Sequence, residues 1–93
     1  MKPHPWSLID AEHLAKKILK DGQVAWSRHA LDEMEEDNLS AVDVTNVIRG
    51  GWCEGVDFEN DSWRYRIRTQ KIVAVVAFRS EAEMVVVTAW RAT

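Results

Sequence analysis

Apolar residues recur every three or four positions through the first half of the chain, a spacing that is typical of helices packed on a core. A first helix is predicted to begin at Ser7 or Asp10, because either side chain can accept a hydrogen bond from an unpaired amide of the first turn. It is predicted to end at Asp21-Gly22, since glycine suits the position that follows many helices. The predicted apolar stripe consists of Leu8, Leu14, Ala15, Ile18 and Leu19.

Two further helices are predicted before residue 52. Ser27 is a suitable N-cap for a second helix that runs to about Asp37. Ser40 begins a third helix, with Asp43 three positions later as in a capping box, and Gly50-Gly51 ends it. The residues predicted to face inward are Ala30, Leu31 and Met34 in the second helix, Val44, Val47 and Ile48 in the third, and Leu39 between the two.

From Trp52 onward the period changes to two, which indicates strands. Strands are predicted near residues 52–59, 62–68, 72–79 and 84–91, and Val24–Trp26 is a candidate fifth strand. The pattern therefore predicts one α+β domain over residues 1–93, with two or three N-terminal helices packed on a four- to five-stranded antiparallel sheet.

The turns between the strands predict a register. We expect Thr69-Gln70 to form a two-residue turn and the following loop to centre on Glu81. Such turns would set opposite each other large apolar residues and one pair of unlike charges, as cross-strand energetics prefer. The predicted pairs are Trp63 with Val76, Tyr65 with Ala74, Ile67 with Ile72, Phe78 with Met84, Val76 with Val86, and Arg79 with Glu83; the like charges of Arg68 and Lys71 would also meet.

The sheet face that points away from the predicted core has an apolar centre and a cationic margin. Because its two inner strands are apolar on both sides, we expect the first helix, a partner chain or a ligand to cover this face. Trp63, Tyr65 and Trp90 are predicted on the core side, and Trp26 and Trp52 at the ends of the helical pair. The residues predicted on the second face are Arg64, Arg66, Arg68, Val73, Val75, Ala77, Arg79, Val85, Val87, Ala89 and Arg91.

Charge is divided unevenly along the chain. The net charge of −3 argues against a nucleic-acid-binding protein. Residues 1–60, however, contain 12 acidic and 6 basic residues, whereas residues 61–93 contain 3 acidic and 6 basic ones. This asymmetry is consistent with an anionic partner on the basic half, or simply with an acidic helical layer.

Cysteine content and hydropathy restrict the environment and the cofactors. Cys53 is the single cysteine, so no intrachain disulfide forms and no Cys/His cluster offers a zinc site. The longest apolar run, Ile72 to Phe78, is far shorter than the roughly 20 residues that cross a bilayer. Met1–Trp6 lacks the apolar segment of a secretory signal. We therefore expect a cytoplasmic protein with no metal, no other cofactor and no membrane association.

Three arginines on one strand are the clearest candidate for ligand binding. Arg64, Arg66 and Arg68 stand ~6.6 Å apart at a rise of ~3.3 Å per residue. This separation is close to that of successive phosphates along a nucleic-acid strand, and a guanidinium binds a phosphate with two hydrogen bonds. The alternative is a solvated strand whose arginines pair with the acidic helices.

His29 is the best acid–base candidate. It lies in the first turn of the second helix, next to Arg28. A neutral imidazole there could accept the proton of a ribose 2′-hydroxyl while Arg28 holds the phosphate. The alternative is a histidine that packs or caps the helix against the sheet.

Short motifs along the chain resemble an uncharacterised family of small bacterial domains. They are Ser27-Arg28-His29-Ala30, Met34-Glu35-Glu36, Val42 to Ile48, Trp63-Arg64-Tyr65-Arg66-Ile67, the valine strand to Phe78, and Val85 to Arg91. The resemblance covers residues 24–91 and follows the pattern SRHA…RYRV…VVVVF…VVTVWR. The family is grouped with RelE/ParE-like and MqsR-like toxins, which implies a RelE/barnase-like fold.

The resemblance implies an mRNA endoribonuclease, acting on the ribosome or on free RNA, and a zinc-finger antitoxin of the MqsA type as partner. Such an enzyme cleaves RNA without a metal, using a histidine base and arginines at the phosphate. The implied catalytic residues are His29, Arg64, Arg66 and Arg91, and the implied RNA contacts are Arg28, Arg64, Arg66, Arg68, Lys71 and Arg79. The alternative is a non-catalytic module that docks a protein partner, or a second copy as a homodimer, on the valine/arginine face.

Overall fold

Three helices and five strands make up the computed structural model, which describes residues 6–92; the predicted lack of a signal segment lies largely outside that range. The predicted α+β class is confirmed, and all three helices are present. Within the described residues no helix has the length and apolar character needed to cross a membrane. The elements are α1 (Leu8–Asp21), β1 (Gln23–Trp26), α2 (Arg28–Glu36), α3 (Ala41–Gly50), β2 (Trp52–Glu59), β3 (Ser62–Arg68), β4 (Ile72–Ser80) and β5 (Glu83–Arg91).

The sheet has the strand order β1-β5-β4-β3-β2, with four antiparallel strands and β1 added at one edge. The predicted antiparallel sheet is confirmed for β2 to β5, whereas the added fifth strand β1 runs parallel to β5. Gln23 begins this pairing by donating its backbone N–H to the Ala82 carbonyl at 2.9 Å. No hairpin joins the two strands, so no turn dictates their relative direction.

The predicted register is confirmed for one hairpin and wrong for the other. Phe78 lies opposite Met84 and Val76 opposite Val86, as expected; Arg79 also contacts Glu83 at 3.1 Å, although a register shift after Phe78 places Ser80 opposite Glu83. Between β3 and β4, however, the turn is formed by residues 70–71, since the Thr69 N–H donates to the Ile72 carbonyl at 3.0 Å. This moves every β3–β4 pair by two positions, which preserves the faces and separates Arg68 from Lys71. The observed β3–β4 pairs are Tyr65 with Val76, Arg66 with Val75, Ile67 with Ala74 and Arg68 with Val73.

All three helices pack on one face of the sheet, which we call the helix face. Ser7 caps α1, Ser27 caps α2, and Ser40 with Asp43 forms the predicted capping box of α3. Leu8 and Leu31 are exposed rather than inward, because each lies outside the stripe that its helix buries. The buried residues of this core are Ala11, Leu14, Ala15, Ile18, Ala30, Met34, Leu39, Val44, Ile48, Cys53, Tyr65, Ile67, Ala74, Val76, Met84, Val86 and Ala89.

A β-bulge at Val87 reverses the side-chain alternation along β5. Val76 pairs with Val86, but Val75 pairs with Thr88, so Val87 is an extra residue without a partner on β4. The predicted orientation of the last residues of β5 is therefore wrong: Ala89 is buried in the core, and Trp90 lies on the opposite face. An uninterrupted period of two cannot reveal such an insertion, because a bulge shifts the phase of everything beyond it.

A second bulge, at Glu54, interrupts β2. Cys53 pairs with Ile67 and Gly55 with Arg66, which leaves Glu54 as the extra residue. Because β2 is an edge strand, one of its sides has no neighbouring strand, and an α1 side chain satisfies part of it: Glu12 accepts a hydrogen bond from the Cys53 N–H at 2.9 Å.

The hydroxyl of Ser27 joins the start of α2 to the bulge of β5. It accepts a hydrogen bond from the Ala30 N–H at 3.0 Å and donates one to the Val87 carbonyl at 2.8 Å. One side chain therefore caps the helix and satisfies a carbonyl at the point where the β4–β5 ladder is interrupted. The position of α2 and the shape of β5 depend on the same contact.

Ser27→Ala should lower the free energy of unfolding more than Ser40→Ala, although both serines are N-caps. Loss of the cap alone costs about 1 kcal/mol, which is the change expected for Ser40→Ala. Loss of the second bond at Ser27 leaves the Val87 carbonyl unsatisfied, so about 2 kcal/mol or more is expected there. Urea unfolding followed by circular dichroism measures both; equal losses would contradict a structural role for the Ser27–Val87 bond.

Candidate functional site on the open sheet face

One face of the sheet carries no helix within residues 6–92, and we call it the open face. It faces away from the helix face because Arg64, Arg66 and Arg68 alternate along β3 with the buried Tyr65 and Ile67. Its members can be followed across the strands from the pairing register. They are Trp52, Gly55, Asp57 and Glu59 on β2, Ser62, Arg64, Arg66 and Arg68 on β3, Val73, Val75 and Ala77 on β4, and Val85, Thr88 and Trp90 on β5.

Each arginine of the open face is paired with a carboxylate of the neighbouring strand β2. Arg64 lies 3.5 Å from Glu59, and Arg68 lies 3.5 Å from Glu54. Arg66 contacts both Glu54, at 3.4 Å, and Asp57. The predicted alternative of paired arginines is thus observed in part, but the acidic partners come from β2 and not from the helices. We call this row of ion pairs the arginine ladder: it consists of Arg64, Arg66 and Arg68 with Glu54, Asp57 and Glu59. Its three positive and three negative charges cancel.

Gly55 makes room for the guanidinium of Arg66. A Cβ atom at Gly55 would lie 2.0 Å from the Arg66 Nη2 atom, so any larger residue would displace this side chain. Arg66 therefore lies across the backbone of β2 instead of extending into solvent.

Two tryptophans lie on the open face. Trp52 is opposite Arg68 on β3, and it is 46% exposed. Trp90 is opposite Val73 on β4. Between them the valines are covered even without a helix: Val73 is 2% and Val75 8% exposed, so the neighbouring long side chains must shield them. The predicted valine patch is therefore a closed floor with aromatic and cationic groups around it.

Two further predicted cations lie at the ends of the sheet. Lys71 is exposed in the β3–β4 turn, next to the row that contains Arg68. Arg79 is exposed near the β4–β5 turn, where it pairs with Glu83. Lys71 thus adjoins the arginine ladder, whereas Arg79 lies at the opposite end of β4.

The structure separates His29 and Arg28 from the arginine ladder. Both are exposed on the first turn of α2, which packs on β5 from the helix face. The Arg28 side chain is 89% exposed and contacts Asp32 at 3.4 Å. Since the sheet lies between these residues and the open face, His29 and Arg64 cannot act together on one phosphate of one bound strand.

Arg91 does not lie on the open face, which corrects the predicted grouping. The Val87 bulge places Arg91 opposite Ile72, and its side chain turns to the end of α2. Its Nε donates to the Asp37 carbonyl at 2.8 Å and its Nη2 to the Asn38 carbonyl at 3.0 Å. Such contacts satisfy carbonyls that a helix end leaves unpaired, so the geometry gives Arg91 a capping role.

Two titratable groups of the core are poorly suited to catalysis. Burial raises the pKa of the Cys53 thiol, which disfavours the thiolate that a nucleophilic cysteine needs. Burial also raises the pKa of Tyr65, whose ring lies on the helix face, as predicted, with its centroid 5.4 Å from that of Phe78. Neither group reaches the open face.

Sequence reasoning missed the acidic half of the ladder and both tryptophans. Glu54, Asp57 and Glu59 alternate imperfectly with the apolar residues of β2, which is the one visible signal of a bulge. Trp90 follows a valine run with no break, so nothing local marks the phase change at Val87. The tertiary contact of Ser27 supports that bulge, and a period-two pattern does not contain it.

Comparison with known families places most of the chain in one of them. Residues 26–91 match the model described as Domain of unknown function (DUF4258). The chain belongs to the DUF4258 family. Comparisons with curated proteins and with solved structures give no match. The DUF4258 match covers α2 and α3, the two bulged strands and the whole open face, and it carries no activity with it.

Arg91→Ala should lower the stability of the protein because it leaves two carbonyls at the end of α2 without their donor. A loss of about 1 kcal/mol is expected from removing such contacts at a partly solvated site. Arg79→Ala is the matched control, because its single exposed ion pair contributes less than about 0.5 kcal/mol. Urea unfolding compares the two variants; equal stabilities would argue against the capping role of Arg91.

Proposed function

We propose that this DUF4258 domain binds RNA on the open face of its sheet and cleaves it as a toxin-like endoribonuclease. One observation carries the proposal: Arg64, Arg66 and Arg68 occupy the sheet face that no described helix covers. Its motifs also resemble the uncharacterised family that is grouped with RelE/ParE-like and MqsR-like toxins, and this resemblance supports the same function. The proposal also keeps what that resemblance implies about partners, namely the ribosome and a zinc-finger antitoxin of the MqsA type.

The chemistry of RNA cleavage without a metal needs a base for the 2′-hydroxyl, a cation for the phosphate and a proton for the leaving 5′-oxygen, which on this open surface comes from water. The arginines supply the cation. Glu54 is the carboxylate best situated to act as the base, because its two oxygens lie 3.4 and 3.5 Å from Arg66 and Arg68. A 2′-hydroxyl next to a phosphate on these guanidiniums would lie beside Glu54. His29 as the base stays a prediction, and it would require a second site on the helix side.

Binding of RNA requires the two exposed carboxylates of the ladder, Asp57 and Glu59, to give up their arginines. Asp57 and Glu59 are well exposed, so each can rotate into solvent at little cost. A phosphate that replaces them forms two hydrogen bonds with a guanidinium and releases counterions. The ladder would then hold the arginines in position until RNA arrives.

A second candidate function is a protein-binding module, which includes a homodimer that joins two open faces. The observation that favours it is the neutral charge of the ladder combined with the apolar residues on β4 and β5. A neutral surface with exposed tryptophan and a polar rim is typical of interface centres.

Cleavage of RNA should depend on the open face and not on α2. Glu54→Gln should lower the cleavage rate about 100-fold and leave binding nearly unchanged, since loss of a general base affects mainly the chemical step. Arg66→Ala should lower both binding and cleavage, because it removes a phosphate contact. The measurement is cleavage of a labelled RNA with purified variants, together with growth arrest on expression.

Arg28→Ala and His29→Ala are the matched controls on the helix side, and both should cleave RNA at the wild-type rate. If His29→Ala abolishes cleavage while Glu54→Gln and Arg66→Ala do not, the proposed site is wrong. A salt titration separates the two candidate functions: three phosphate contacts give a slope of about −2 in log affinity against log salt. A dimer that forms equally well at high salt, with no RNA binding, would favour the protein-binding module.

A further inference from the structure

Two β-bulges direct two tryptophans into the same cross-strand row. If the side chains of β2 alternated strictly from Val56 with no bulge at Glu54, Trp52 would lie on the helix face. If those of β5 alternated strictly from Val86 with no bulge at Val87, Trp90 would lie there as well. A β-bulge commonly changes the direction of a side chain, and here each of two bulges directs one tryptophan to the open face.

The row runs from β2 to β5 at one end of the open face. Trp52 lies opposite Arg68, Arg68 opposite Val73, and Val73 opposite Trp90. At ~4.8 Å between neighbouring strands, the two tryptophans stand ~14 Å apart. Trp52 is 46% exposed, while Val73 in the centre is 2% exposed, so the row is a closed floor with an aromatic group at each end.

Charge at this end of the open face differs from that of the ladder as a whole. Arg66 and Arg68 share Glu54, Arg66 also contacts Asp57, and the exposed Lys71 follows in the adjoining turn. Lys71 makes no ion pair with any residue in the described part of the chain. Three cations therefore face two carboxylates around the row, which suits an anionic ligand.

We propose that Trp52 and Trp90 each stack on an unpaired base of single-stranded RNA, with a phosphate between these bases on Arg68. Indole rings on a sheet face, with arginines between them, bind bases by stacking and phosphates by charge, largely without sequence preference. Bases inside a duplex are already stacked, so the ligand is single-stranded. This inference rests on the proposed function and names the RNA class that the same site takes.

Binding of an uncleavable RNA tests the inference. A labelled, 2′-O-methylated oligoadenylate of about eight nucleotides matches the site size of comparable single-strand binders. Trp52→Ala and Trp90→Leu should each weaken its binding about tenfold or more, because each removes one stacked base. Trp52→Phe and Trp90→Phe, which keep an aromatic ring, should recover most of the loss. A duplex of the same length should bind at least about tenfold more weakly than the single strand.

Phe58→Ala is the matched control. Phe58 lies on the same strand as Trp52 and is 42% exposed, but it is opposite Trp63 and points to the helix face. The affinity of the Phe58→Ala variant for the oligoadenylate should stay within about twofold of wild type, since only aromatic rings on the open face are expected to stack on bases. The slope of log affinity against log salt should be the same for wild type and both tryptophan variants, because the phosphate contacts are unchanged. Thermal unfolding of every variant should be measured to check that the fold is retained.

The remaining outcomes overturn the inference in distinguishable ways. If Arg66→Ala and Arg68→Ala lose binding while the tryptophan variants do not, RNA binds the open face without stacking. If single strand and duplex bind equally well, the site reads backbone charge alone. If the wild-type protein binds neither, the proposed function fails together with the inference. If Trp52→Ala instead disrupts a dimer in sedimentation, with no RNA bound, the row is a protein interface.

Discussion

The hydroxyl of Ser27 connects helix α2 to strand β5. Because it caps α2 and donates to the Val87 carbonyl at 2.8 Å, the bulge of β5 and the docking of α2 on β5 form as one unit. The bulge in turn buries Ala89 and puts Trp90 on the other face. A contact on the helix face thereby determines which side chains the open face presents. The DUF4258 match begins at residue 26, just before this serine.

The open face combines an ion-paired row of arginines with two tryptophans. Its arginines are held in position by carboxylates of β2, and Gly55 leaves space for Arg66 to lie flat. Exposed ion pairs contribute little to stability, so stability alone does not explain a ladder of three. A ladder that keeps guanidiniums extended and exchanges its carboxylates for phosphates would serve RNA binding. The same neutral ladder also suits a protein partner, and the salt dependence of binding distinguishes these functions.

Much of the fold could be predicted from the sequence because local chemistry determines it. The N-caps Ser27 and Ser40 set the starts of α2 and α3, and a period of two marked the strands. The direction of β1 could not be predicted, since β1 and β5 are far apart in sequence and no turn relates them. The two bulges could not be predicted either, because partners on other elements, such as Ser27 for Val87, stabilise them.

The candidate site was predicted only where strand alternation alone decides the face. Arg64, Arg66 and Arg68 are on the expected side of β3, whereas Arg91 lies beyond a bulge and caps α2 instead. The association of His29 with the arginines failed for a different reason. That prediction required the start of α2 to lie next to the open face, but the sheet separates the two.

An NMR titration with single-stranded RNA shows whether ligand binds the open face. The chain has five tryptophans, whose indole N–H signals can be assigned by substitution and followed during the titration. If RNA binds the open face, the signals of Trp52 and Trp90 should shift, together with the backbone amides of β3 and β4, while those of Trp26 and His29 should not change. Shifts centred on α2 around His29, with Trp52 and Trp90 unaffected, would contradict binding to the open face.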